Sequence, residues 1–148
     1  MKTQIEKLSL THLVQLKEQL VLSTPTLLPK IKEALNLKNE EDAHLGLLEV
    51  LKFLTLISKY KKKLTPSLNV DLAWHEFVLH TRKYGVFCLE NFGEFIHHTP
   101  GGNEEENEQR FKQTLALYKV EFGAIVEPWW PTCGVQASAC GSCQGEEI

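Results

Sequence analysis

The chain contains 148 residues, of which 43% are hydrophobic and 24% are charged, and its formal net charge is −3 at pH 7. This length fits a single domain, and the balance of apolar and charged residues is that of a folded protein rather than a disordered one. The weak negative charge gives no reason to expect nucleic acid or an anionic membrane as a partner.

The N-terminal sequence and the cysteines indicate a cytoplasmic protein. The first ten residues, MKTQIEKLSL, hold no unbroken apolar run of the kind found in a signal peptide. The most apolar stretch, residues 45–57, is interrupted by Glu49 and Lys52 and is too short to span a bilayer. Three of the four cysteines lie within the last 16 residues, which is not the spacing of a secreted disulfide framework. We therefore expect neither a membrane segment nor structural disulfides.

Three helices are predicted in the first 60 residues, where leucine, isoleucine and valine recur at helical spacing. Pro25 ends the first, because the residue before a proline is pushed out of the helical region. Asn39 is a suitable N-cap for the third, and the acidic residues after it suit the positive end of the helix dipole. Lys59 and residues 61–63 suit the negative end, which explains this basic run without a nucleic-acid partner. The three helices are predicted to run from residue 9 or 11 to 21, from 29 to 35 and from 40 to 60.

Three further helices are predicted after a Thr-Pro-Ser break. Ser67 or Asn69 is expected to begin the fourth, and Thr81 is placed to cap the fifth. Gly93 is expected to close the fifth helix in the left-handed conformation, while Gly85 inside it weakens the helix, marks close packing or breaks it earlier. These helices are predicted to run from residue 67 or 69 to 79, from 82 to 92 and from 104 to 122.

The sequence therefore predicts an all-α fold, a compact bundle of five or six helices formed by residues 1–127. Trp74 and the phenylalanines are expected in its core. Residues 128–148 are expected to form a linker rich in proline and tryptophan, followed by an irregular cysteine-bearing tail.

Two pairs of polar residues in the fourth helix have the spacing of a functional site. Asp71 and His75 are one turn apart and share a helical face. A carboxylate in that position can accept the imidazole N–H and fix its tautomer, so we expect Asp71 to contact His75. Glu76 and His80 repeat the spacing on another face, and either would serve as a base if the domain were a metal-dependent enzyme.

The histidines and Cys88 also suggest a metal site. Two helices folded back on each other would bring together His75, Cys88 and one of the pair His97 and His98. Such a nitrogen and sulfur set suits zinc, or iron if water or a carboxylate completes it. The structural alternative is that the histidines are surface or hydrogen-bonded core residues and that Cys88 is simply buried.

The same segment resembles a known family. Residues 70–75 read VDLAWH, and the residues up to Gly93 continue a pattern V-D-x-x-W-H-x-x-x-L-x-T/P-x-x-Y-x-x-x-C-x-x-x-F/Y-G, with histidines after it. This pattern is similar to that of the glycine-rich domain-containing protein-like family, although the chain lacks the glycine-rich extension of its longer members. The resemblance implies no particular reaction, but it implies that certain residues form a shared feature, with Tyr84 supporting the site as Asp71 does. The residues so implied are Asp71, Trp74, His75, Tyr84 and Cys88.

The C-terminal cysteines form a separate candidate site. Cys133, Cys140 and Cys143 have the spacing C-x6-C-x2-C. Such cysteines chelate zinc or an iron–sulfur cluster, cycle between dithiol and disulfide, or belong to a flexible chain end. Trp129 and Trp130, with the tail, form the expected contact surface for a protein partner.

The leading hypothesis is a metal- or small-ligand-binding domain centred on His75, with Cys88 and His97 or His98 as further ligands and zinc or iron as the metal. The first alternative is a protein-interaction module without metal. The second is a metal-dependent enzyme whose substrate the sequence does not identify.

Overall fold

The computed structural model describes residues 9–99 and 103–131, most of which are helical, and no β-strand forms among them. The helices are α1 (Leu10–Ser23), α2 (Leu27–Ala34), α3 (Glu40–Tyr60), α4 (Leu68–Leu79), α5 (Thr81–Phe92) and α6 (Glu104–Phe122). The predicted all-α bundle is therefore confirmed, with six helices in the described ranges. Within those ranges, none of the helices combines the length and the apolar character needed to cross a membrane.

Local signals in the sequence account for most of the helix ends. The Asn39 side chain accepts a hydrogen bond of 2.9 Å from the backbone N–H three residues later, and Ser67 caps α4 in the same way at 3.1 Å. Gly93 ends α5 with a left-handed φ of 78°, as predicted. Thr81, however, is the first residue of α5 rather than its cap, because the cap position is held by His80 without a side-chain hydrogen bond. Gly85 does not interrupt α5.

The central element is α3, which packs against α1, α2, α4 and α6. Because helices surround it, side chains on most of its faces are buried, including those of the charged residues Glu49 and Lys52. Leu47, Leu51 and Leu54 are fully buried on this helix. The other helices therefore assemble around α3 as the core of the domain.

Glu49 is the centre of a buried hydrogen-bond network. Its Oε1 accepts hydrogen bonds from the Tyr118 hydroxyl at 2.7 Å and from the Trp130 indole N–H at 2.8 Å. Its Oε2 accepts one from Lys52 Nζ at 2.9 Å. Burial and the neighbouring Glu49 charge raise the pKa of Tyr118. A buried carboxylate is tolerated only when it is paired and hydrogen-bonded. Because the donors to Glu49 lie on α3, on α6 and at Trp130, the network joins these three parts of the chain.

The residues after α6 belong to the packed domain, which corrects the prediction of a linker beginning at residue 128. Trp129 and Trp130 are 3% and 0% exposed. The Ser67 hydroxyl donates a hydrogen bond of 2.6 Å to the Trp129 carbonyl, and the Asn69 amide donates one of 3.0 Å to the Pro128 carbonyl. These bonds hold the segment against the beginning of α4. The predicted tail from residue 132 onward lies outside the described residues.

Gly46 on α3 leaves the space that the Trp129 ring occupies. A Cβ atom at position 46 would lie 2.5 Å from Cη2 of Trp129, a distance that Cβ atoms do not adopt. A glycine inside a helix weakens that helix. Here the packing of Trp129 requires one, because any side chain at position 46 would clash with the ring.

Candidate functional site

The side chains singled out in the sequence lie on α4, on α5 and on residues 94–99 that follow α5. After Gly93 the chain turns back, so that Ile96 contacts α5 and His98 contacts α4. The site is therefore built from residues that are close in space but separated by a helix in the sequence.

Asp71 pairs with His98 and not with His75, so the expected contact between Asp71 and His75 is wrong. The distance from His98 Nε2 to Asp71 Oδ1 is 2.8 Å, and both side chains are mostly buried. The one-turn spacing does place His75 near this pair, with its ring centroid 5.7 Å from that of His98. His75 itself is exposed at the surface.

The surroundings of His98 favour its protonated form. The hydrogen bond to Asp71 raises the pKa of His98, and the Asp71 charge and a contact with its own backbone carbonyl act in the same direction, while burial opposes them. The ring packs edge-on against Trp74 with centroids 4.4 Å apart. His98 is therefore held in place by a carboxylate that favours its protonated form.

The residues proposed as metal ligands do not converge. Cys88 is fully buried, and this burial raises the pKa of its thiol, which disfavours the thiolate that binds metals. His97 is exposed and its ring packs against Phe95 at 4.7 Å. His75 is exposed on α4, near His98 but away from the buried Cys88 thiol. A buried thiol and two exposed imidazoles therefore do not form the expected set.

The metal-binding prediction is corrected accordingly. In the part of the chain that the structure describes, no group of three or more histidine, cysteine, aspartate or glutamate side chains is arranged to hold a metal ion. A zinc or iron site built from His75, Cys88, His97 and His98 is therefore not supported.

Two predictions fall wholly or partly on the C-terminal tail. Cys133, Cys140 and Cys143 lie outside the described residues, so their role in metal binding or redox chemistry stays a prediction. The protein partner expected at Trp129, Trp130 or the tail also stays a prediction, but the two indole rings are buried in the domain and do not form an exposed surface.

Tyr84 holds the segment after α5 against the two helices. Its buried hydroxyl accepts a hydrogen bond of 3.0 Å from the Trp74 indole N–H and donates one to the Ile96 carbonyl. Burial is the main cause that raises the pKa of Tyr84, so the hydroxyl stays protonated. Tyr84 therefore fixes the backbone two residues before His98.

His80 has a structural role at the end of α4. Its Nδ1 donates a hydrogen bond of 2.9 Å to the backbone carbonyl of Glu76, not to the carboxylate. Its Nε2 lies 2.8 Å from the Thr26 hydroxyl, which links α4 to the start of α2. Both ring nitrogens of His80 are thus in use, and the alternative in which Glu76 or His80 acts as the base of a metal-dependent enzyme stays a prediction.

A cavity of about 440 Å³ lies beside the pair of Asp71 and His98. One part of its wall is apolar and comes from α3, from α4, from the connection between these two helices and from the connection between α5 and α6. The other part is polar and includes residues of α6. The apolar wall consists of Ile57, Leu64, Pro66, Trp74, Phe95 and Ile96. The polar wall consists of Thr65, Asp71, His98, Asn107 and Arg110, with Lys63, Glu94, His97 and Thr99 also lining the cavity.

Arg110 is the least satisfied polar group in this wall. Its Nη2 donates a long hydrogen bond of 3.3 Å to Asn107 and lies 3.8 Å from the carboxylate of Glu106. Its Nε is buried without a hydrogen-bond partner. An unsatisfied buried donor is unusual in a folded protein, so this guanidinium has hydrogen-bonding capacity that the domain does not use.

The polar wall from α6 was not recognised in the sequence. Asn107 and Thr114 are buried at spacings of four and three residues from Phe111, on the stripe that also carries Tyr118. The sequence does contain a signal for this wall, namely two polar residues within an otherwise apolar stripe. A polar side chain that faces the core needs a hydrogen-bond partner there. Arg110 lies one position before Phe111 and borders the same stripe.

Comparisons with known proteins identify a family. Residues 17–119 match the model of the UCP032817-like family, which covers more than half of the chain, so the chain belongs to this family. The resemblance to the glycine-rich domain-containing protein-like family is therefore corrected. We found no match to the chain among curated proteins or among solved structures.

Proposed function

We propose that this member of the UCP032817-like family binds a small organic molecule in the cavity beside Asp71 and His98. The single observation that carries the proposal is the composition of this cavity. An apolar wall that includes Trp74 faces a few polar groups, among them Arg110, in a volume of about 440 Å³. Small-molecule sites in proteins are mostly apolar clefts of this size with a small number of placed polar groups.

The state of His98 supports binding over acid–base catalysis. A general base needs an imidazole nitrogen with a free lone pair directed at the substrate. Here Nε2 is bonded to Asp71, and the ring also contacts its own backbone carbonyl. Nε2 is therefore held by Asp71 and does not face a substrate as a free proton acceptor, and His98 forms a rigid part of the wall.

This proposal involves no metal and depends on neither His75 nor Cys88. Thr65 and Asn107 hydrogen-bond to each other at 3.4 Å and belong, with Arg110, to the polar wall of the cavity. A cytoplasmic location, which the spacing of the cysteines favours, belongs to the same proposal.

Nuclear magnetic resonance spectroscopy of the full chain with a panel of small carboxylates, phosphates, amides and amines tests the proposal. We expect at least one compound to shift the indole N–H signal of Trp74 and the backbone signals of residues 94–99 together. If no compound shifts them, or if all responses map to other surfaces, the proposal is wrong.

A pair of matched variants then tests whether binding occurs inside the cavity. Ile57→Phe places a larger ring in the cavity, whereas Val120→Phe makes a similar change at an exposed position of α6. We expect Ile57→Phe to weaken binding by about tenfold, which corresponds to about 1.4 kcal/mol of lost contacts, and Val120→Phe to have no effect. Equal affinity in both variants would place the ligand outside the cavity. Thermal unfolding of each variant confirms that it is folded.

A further inference from the structure

We propose that the ligand of this cavity carries a carboxylate that pairs with the guanidinium of Arg110, while its apolar body lies along Trp74 and Ile57. This inference rests on the proposed function and names the chemical class of the ligand. It follows from the charges in the wall, from the bonding of Arg110 and from the position of the apolar residues.

The charges in the wall favour an anion. Neither carboxylate that lines the cavity is a buried, unpaired negative charge, since Asp71 is bonded to His98 and the Glu94 side chain is 54% exposed to water. The partly buried positive charge of Arg110 remains on the same cavity. The carboxylate nearest to Arg110, that of Glu106, is 3.8 Å away and 58% exposed, so water screens this pair.

The bonding of Arg110 favours a planar acid group. A guanidinium presents several N–H donors in a flat fork that matches the two oxygens of a carboxylate. The only hydrogen bond that Arg110 makes through its side chain within the described residues is the 3.3 Å bond to Asn107. Arg110 lines the cavity and its Nε is buried without a partner, so a rotation of the guanidinium that presents its edge to a ligand would relieve the unsatisfied donor.

A phosphate dianion fits this wall less well than a carboxylate. His98 Nε2 is already bonded to Asp71, and Lys63 is exposed, so water screens its charge. A second buried negative charge would therefore lack a second buried cation, and burying an uncompensated charge is costly. The apolar residues Ile57 and Trp74 are suited to an aliphatic or aromatic body.

Binding of benzoate, benzamide and phenylphosphonate to the full chain tests this inference. The three compounds share one ring and differ in the charge and shape of the polar group. Nuclear magnetic resonance titrations give the dissociation constants and the site of binding. The Arg110 Nε–H signal is directly assignable because the chain contains only one other arginine, Arg82. We expect benzoate to bind in the cavity about tenfold more tightly than either of the other compounds, as a charge-assisted hydrogen bond would provide.

Three variants identify the group that recognises the acid. In Arg110→Gln we expect benzoate to bind no more tightly than benzamide. Arg110→Lys keeps the charge but loses the flat fork, and we expect it to retain only part of the preference. Arg82→Gln is the matched control, since Arg82 is exposed on α5 outside the cavity, and the preference should be unchanged. Arg110→Lys also serves as the test if Arg110→Gln does not fold.

The possible failures are distinguishable. If benzamide or phenylphosphonate binds as tightly as benzoate, or if the preference for benzoate survives both Arg110 variants, the inference is wrong. If benzoate does not bind the cavity while another compound of the panel does, the inference is wrong and the proposed function stands. If no compound binds the cavity, both are wrong.

Discussion

The pair formed by Asp71 and His98 shows how one hydrogen bond organises the candidate site. The two residues are 27 positions apart in the chain, and their contact fixes residues 94–99 against α4. Because Asp71 stabilises the imidazolium, the pair is an electrostatic element of the cavity wall as well as a packing contact. Its strength is therefore expected to depend on pH.

Replacing Asp71 with Asn should lower the pKa of His98. The hydrogen bond to Asp71 is the largest cause that raises this pKa above 6.5, and burial, which lowers it, would then be less opposed. Imidazole signals followed against pH by nuclear magnetic resonance give the value directly. Asp42→Asn changes the chain's other aspartate, which lies in the first turn of α3, and should leave the pKa of His98 unchanged.

The same pair predicts a pH dependence of stability. The folded-state pKa of His98 is raised, so its contribution is fully present below the unfolded pKa and is lost as pH rises through the folded pKa. The difference in unfolding free energy between the natural chain and Asp71→Asn should therefore be larger at about pH 6 than at about pH 9. Urea unfolding at the two pH values measures it. A difference that grows with pH would contradict the assignment of the pair.

At the level of elements, two glycines inside helices differ in the space available for a side chain. Gly46 on α3 lies against the Trp129 ring, where a Cβ would be 2.5 Å from Cη2. Gly85 on α5 lies near Phe95, where a Cβ would be 3.8 Å from Cε1, an ordinary contact distance. The gain in helix propensity on changing glycine to alanine is the same at both sites, so packing decides the sign of the effect.

We expect Gly46→Ala to destabilise the protein and Gly85→Ala to stabilise it. Overpacking at position 46 should cost about 1–3 kcal/mol and exceed the propensity gain. At position 85 the propensity gain of up to about 1 kcal/mol should remain. Thermal and urea unfolding measure both changes. Trp129→Phe removes the clashing part of the ring, so the effect of Gly46→Ala should become smaller in that background. A destabilising effect that is unchanged there would exclude the contact as its cause.

At the level of the whole molecule, the last described residues close the bundle. Trp129 and Trp130 are buried, and their segment is bonded to α4 through Ser67 and Asn69 and to α3 through Glu49. A chain that ends before them would expose a large apolar surface. It would also remove one of the three donors to Glu49.

The stability of chains truncated at the C-terminus should therefore fall sharply between an end at residue 131 and an end at residue 127. A chain ending at residue 127 loses both tryptophans and should be destabilised by more than about 3 kcal/mol, the usual cost of truncating one such buried ring. We expect a chain ending at residue 131 to keep nearly the full melting temperature. Circular dichroism during heating compares the two. A large loss of stability in the longer truncation would show that residues 132–148 contribute to the domain.

The helices could be predicted from the sequence because their signals are local. Asn39 and Gly93 act within one turn of the helix end that they define. The partner of Asp71 could not be predicted in this way, since one-turn spacing places His75 on the same face but says nothing about His98. The sequence predicts a linker at Trp129 and Trp130 because two adjacent rings between prolines show no periodicity. The burial of Trp129 depends on Gly46, which lies more than 80 residues earlier in the chain.

The network around Glu49 has a consequence for the order in which the protein is made. During synthesis, α3 leaves the ribosome well before Tyr118 and Trp130, which donate hydrogen bonds to the Glu49 carboxylate. Until then Lys52 is the only one of its three partners that has been synthesised. The nascent bundle therefore holds a carboxylate that its own residues do not yet satisfy, and water must solvate it. Glu49 acquires all three of its hydrogen-bond donors only when nearly the entire helical domain has emerged.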